Sequence, residues 1–81
     1  MPTIWRTSGF RVYFYSHEPN EPAHVHVDKD GRSAKFWLDP LQLSWNMGYT
    51  PKELTQVRSL LLEHRERLLE SWYGYFGNQS G

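Results

Sequence analysis

The apolar positions of this chain change period once, from two to roughly three and a half. Phe10, Val12 and Phe14 alternate with Arg11, Tyr13 and Tyr15, and Val25 and Val27 alternate with His24, His26 and Asp28. Ala34, Phe36 and Leu38 alternate with Lys35 and Trp37. In an extended strand, neighbouring side chains point to opposite faces, so these segments predict three strands sharing one apolar face. Thr3 to Arg6 is a short β-prone start ahead of a turn at Thr7-Ser8-Gly9. Ser16 to Pro22, with two prolines and an asparagine, reads as a loop. Asp30-Gly31 is a strong two-residue hairpin signal. Past the bend at Asp39-Pro40, Leu41, Leu43 and Trp45 alternate with Gln42, Ser44 and Asn46. They read as a further short strand ended by Gly48, with a one-and-a-half-turn helix as the competing reading.

From Thr50 the period lengthens. Thr50 can cap a helix, Pro51 suits its first position, and Glu53 completes a capping box. Leu54, Val57, Leu61, Leu68, Trp72 and Phe76 then form one stripe, widened by Leu69 and Tyr73. His64 and Arg65 interrupt the middle of the stripe, where a bend or break is admissible. A sheet with one apolar face and an amphipathic helix bury each other's apolar sides. The sequence therefore predicts an α+β class: a small antiparallel meander of four to five strands, packed on one face by a long C-terminal helix. One domain spans 1–81, with the meander at 1–48, the helix at 50–77 and a loose tail at 78–81. The expected core sets Phe10, Val12, Phe14, Val25, Val27, Phe36 and Leu38 against Leu54, Val57, Leu61, Leu68 and Trp72.

Composition narrows the chemistry. With 81 residues and no cysteine, disulfides, thiol catalysis and cysteine zinc sites are excluded. Nine basic and nine acidic side chains cancel, which disfavours non-specific coating of nucleic acid. No apolar run suits a signal peptide or a bilayer span, and a cytoplasmic, membrane-free protein is expected. A chain this short buries only about 60–65% of its unfolded surface. Four tryptophans and five tyrosines exceed what one such core hides, so self-association or a partner is expected.

The face left over carries the candidate chemistry. Arg11, Tyr13 and Tyr15 would lie beside His24, His26 and Asp28, and these beside Lys35 and Trp37. Tyrosine and tryptophan on a sheet's second face indicate a partner surface or a ligand platform. His24 and His26, two apart on a strand, admit three readings. They could share a divalent metal with a third ligand from His17, Glu18 or Glu21. They could act as general acid and base of a metal-free endoribonuclease, with Lys35 or Arg11 on phosphate. Or each imidazole could hydrogen-bond a neighbouring strand or the Glu18 and Glu21 carboxylates, pinning the proline-rich loop. No cofactor beyond that metal is called for.

With Tyr15-Ser16, Glu18 and the Pro-x-His-Val-His-Val run from Pro22 to Val27 in place, the chain resembles a bacterial family, the domain of unknown function numbered forty-one-sixty. The likeness extends from Met1-Pro2-Thr3-Ile4 through Lys35-Phe36-Trp37-Leu38 and Gly48. It continues at Pro51-Lys52-Glu53-Leu54, Trp72 and Phe76-Gly77. His17 stands where asparagine is usual and Ala23 where a second proline is usual, so relatives would lack any role of His17. The resemblance implies a small prokaryotic protein encoded beside another small protein, as in toxin–antitoxin pairs. The preferred expectation is an interaction module that binds such a partner through Tyr13, Tyr15, Glu18 and Trp37 or through the helix. A homo-oligomer and an RNA ligand are the other partners in view.

Overall fold

The computed structural model describes residues 3–15 and 20–76. Five strands run in order, β1 (Thr3–Thr7), β2 (Phe10–Tyr13), β3 (His24–Lys29), β4 (Arg32–Leu38) and β5 (Leu41–Met47). Two helices follow, α1 (Pro51–Glu63) and α2 (Arg65–Phe76). The strands form one antiparallel sheet in the order of the chain, β1-β2-β3-β4-β5. Ser8-Gly9 and Asp30-Gly31 both have positive φ at the two central positions, the geometry whose twist matches that of paired strands. Asp39-Pro40, with a cis peptide bond, closes the last hairpin. The expected residues His17 and Glu18, and the tail at 78–81, lie outside the described residues.

One face of the sheet is the core. Phe10, Val12, Phe14, Val25, Val27, Ala34, Phe36 and Leu38 are buried with Val57, Leu61, Leu68 and Trp72 in a single cluster, and Trp5, Leu54, Leu60, Leu69 and Phe76 pack against it. This is the expected core with Ala23, Ala34, Leu41 and Tyr49 added and Leu54 at its margin. Tyr49 enters because Gly48, at φ 101°, takes a backbone conformation that L-residues resist and turns the chain inward. The Tyr49 hydroxyl donates to the Val27 carbonyl at 2.9 Å. β2 ends at Tyr13 rather than Tyr15, yet Phe14 is still core.

The strand reading of residues 41–47 is the one the structure shows, but its alternation is broken. Phe36 faces Leu43 while Lys35 faces Trp45, so Ser44 is an extra residue on β5. This β-bulge sends Trp45 and Met47 to the face of Lys35 and Ser33, opposite Leu41 and Leu43.

The helix start forms as its sequence dictates. The Glu53 amide donates to Thr50 Oγ1 at 3.2 Å, and the Thr50 amide donates to Glu53 Oε1 at 2.9 Å. Arg32 Nη1 reaches Glu53 Oε2 at 2.9 Å and ties the hairpin base to the helix. The backbone amide of Thr50, above all, holds the Glu53 carboxyl below its usual range. Thr50→Ala is expected to cost about 1 kcal/mol, read as a lower urea midpoint at unchanged slope.

The single helix expected over 50–77 is instead two, divided at His64. The His64 ring lies 4.3 Å from that of Trp5, and its carbonyl accepts the Leu68 amide at 3.0 Å. Arg65 Nε donates to the Leu38 carbonyl and its Nη2 to Asp39 Oδ1, both at 2.6 Å. Packing and these bonds hold the break where the apolar stripe is interrupted. Among the described residues no helix is long and apolar enough to cross a membrane.

A histidine–aromatic layer as the candidate functional site

Strand register sets the second face in three rows. Tyr13, His26, Lys35 and Trp45 stand opposite one another across β2 to β5. On one side of this row His24 faces Trp37 and Gln42. On the other, Arg11, Asp28, Ser33 and Met47 form the third row. Arg11, Tyr13, His24, His26, Lys35 and Trp37 thus share the face opposite Val25 and Phe36, as strand alternation requires.

The rings lock together. Tyr13 stacks on His26 with centroids 5.3 Å apart, and Tyr15 meets the same imidazole edge-on at 4.8 Å. His24 lies 5.3 Å from His26, 5.6 Å from Trp37 and 4.8 Å from Trp72. Trp45 completes the layer 5.9 Å from His26. Arg11 sits over the Tyr13 ring and Lys35 over the Trp37 ring, at 4.7 and 4.4 Å, distances at which a cation is attracted to the ring face.

Polar bonds fix the remaining freedom. The Tyr13 hydroxyl donates to the Asp28 carboxylate at 3.1–3.2 Å, and Ser33 Oγ donates to it at 2.6 Å. Burial, a hydrogen bond with Tyr15 and the nearby Asp28 charge push the Tyr13 phenol well above its usual range. Lys35 Nζ donates to Glu21 Oε1 at 2.6 Å. His24 Nδ1 lies 2.9 Å from the Pro22 carbonyl. That oxygen can only accept, so Nδ1 carries the proton. The Glu21 carboxylate stands 3.8 Å from the same nitrogen. The His24 imidazole and Lys35 therefore tie the loop's last residues to the sheet, the imidazole through the Pro22 carbonyl rather than through a neighbouring strand or a carboxylate.

The histidines point away from the core but do not face open solvent. His24 is 0% exposed, His26 5% and Lys35 8%, because longer aromatic side chains on the flanking strands lean over them. What the layer presents outward is Trp45, 40% exposed, and Met47, 65% exposed, beside half-buried Arg11, Tyr15 and Trp37. Trp45 and Met47 were not among the expected site residues, since nothing in their local sequence marks the bulge that delivers them. Among the described residues no group of three His, Asp or Glu could hold a metal ion.

A five-stranded antiparallel sheet with both helices on one face and a bonded histidine–aromatic layer on the other defines a small α+β domain whose distinctive chemistry is that layer. The family model for the domain of unknown function DUF4160 matches residues 9–73, and the chain belongs to that family. No curated protein and no solved structure matches it.

Proposed function

We propose that this chain is a protein-interaction module, one half of a small two-protein system of the toxin–antitoxin kind, which holds its partner on the histidine–aromatic face. The observation that carries this reading is Trp45. A bulge places it, 40% exposed, on a layer already stacked and hydrogen-bonded. An aromatic anchor held on a rigid base loses little side-chain entropy on binding and suits the centre of an interface. Arg11, half-buried over Tyr13, adds a cation at the rim.

Endoribonuclease action by His24 and His26 draws less support from the same geometry. Both imidazoles are closed off, and Lys35, the nearer candidate for phosphate, is bonded to Glu21. A metal on the pair draws less support too: Nδ1 on the Pro22 carbonyl leaves Nε2 as the nitrogen His24 could offer, but among the described residues no group of three His, Asp or Glu could hold an ion.

Co-expression with the small protein encoded beside it tests the interaction reading. Wild type is expected to co-elute with that protein as one complex. Trp45→Glu and Arg11→Glu should each reduce the co-eluted partner at least tenfold while the variant still melts cooperatively as a folded domain. Separate elution from wild type overturns it. Growth inhibition on expression, abolished by His24→Ala in a still-folded protein, would favour the ribonuclease instead.

A further inference from the structure

β5 is the last strand of the sheet, and no described residue hydrogen-bonds to its outer edge. Edge strands are ordinarily guarded by charges or proline, because unpaired amides and carbonyls invite another strand. From Leu41 to Pro51 there is no charged residue, and β5 itself holds no proline. Its one guard is the bulge at Ser44. On the helix side of this edge, Leu43 is 42% exposed. It lines a notch of about 190 Å³ with Phe36, Leu54, Thr55 and Arg58. Arg58 is exposed, and among the described residues no carboxylate pairs with it.

We propose that β5 accepts an extended segment of a partner protein as a sixth strand, with an apolar side chain in the Leu43 notch and an acidic side chain on Arg58. The proposal rests on the interaction reading above and names the partner's recognition element. Strand addition satisfies the outer edge with main-chain bonds, and alternate side chains supply the specificity. Notch and guanidinium lie on the same side of the sheet, so the apolar and acidic residues sit two apart. The residue between them falls on the other face, against Trp45. A guanidinium matches a carboxylate in a two-point, charge-assisted contact. A second copy of this chain fits poorly, because Leu41–Met47 carries no carboxylate to offer Arg58.

A random heptapeptide display library selected on the immobilised full chain is the test, followed by titration of the leading synthetic peptide. Selected sequences are expected to share an apolar-x-acidic pattern, and the peptide should slow hydrogen exchange at β5 amides. Arg58→Glu, on an exposed helix position, should weaken that peptide at least tenfold and shift fresh selections to a basic residue. Selections without an acidic preference, protection elsewhere or no binder would each overturn the proposal, as would a dimer of the free chain protecting β5. If the co-expressed neighbour binds but Arg58→Glu leaves its affinity unchanged, strand addition fails while the interaction reading stands. If the neighbour does not bind but acidic peptides do, the two-protein reading fails and strand addition stands.

Discussion

Trp72→Ala is expected to remove about 3–5 kcal/mol of stability, the range for truncating a large aromatic in a packed core. A domain of this size has about 5–15 kcal/mol in total, so the variant should sit near the edge of folding. The reason lies in what the indole touches. It packs on Phe14 and Phe76, at 5.2 and 4.4 Å between ring centroids, and reaches His24 at 4.8 Å. It thus links the apolar core to the histidine–aromatic layer, and its loss should loosen both. Urea unfolding of Trp72→Ala beside Val25→Ala, expected to cost about 2–4 kcal/mol, measures the first effect. Near-ultraviolet dichroism of the tyrosines measures the second. A loss below 1 kcal/mol with the aromatic signal intact would show that this residue does not join the two layers.

Stability should fall steeply on the alkaline side. Burial first, then the Asp28 carboxylate, pushes the Tyr49 phenol from 10.0 up to about 12. The unfolded chain releases this proton near pH 10 and the folded chain near pH 12, so in that window the unfolded state binds fewer protons. The stabilisation is therefore fully present below pH 10 and is lost as pH rises through the folded value. Two units correspond to about 2–3 kcal/mol. Tyr13, raised further, extends the fall. Tyr49→Phe should cost about 1–3 kcal/mol at neutral pH, where it strips the Val27 carbonyl of its donor. It should also flatten the decline between pH 10 and 12. Urea midpoints of both proteins at pH 8, 10, 11 and 12 would show this. Parallel slopes would mean that Tyr49 does not hold its proton in the folded state.

Much of the architecture was legible because local and global preferences agree. Phe10, Val12 and Phe14 alternate without exception, Asp30-Gly31 has the backbone freedom its turn needs, and Thr50 with Glu53 writes out its own cap. What escaped reading depends on contacts between distant residues. The division at His64 is settled by Trp5 and by the Leu38 and Asp39 oxygens that Arg65 reaches, from strands far away in sequence. The burial of His24 and His26 likewise depends on aromatic neighbours from other elements leaning over them. An imidazole's side of a strand follows from counting by twos, whereas its exposure depends on everything packed beside it.

The counting failed once, at Ser44, and that failure has an evolutionary side. From there to the end of β5, register rather than residue identity decides which side chains each face displays. Deleting Ser44 would keep Leu43 opposite Phe36 and Trp45 opposite Lys35 while straightening the edge. Closing the bulge at unchanged length, with Ser44 opposite Lys35, would instead set Trp45 opposite Ala34 and swing it toward the helices. The loss of a single codon would therefore remove the bulge that interrupts this edge and leave the exposed tryptophan in place, with no amino acid substituted. Relatives shortened by one residue at this point should keep the tryptophan outward and pair more readily along the β5 edge.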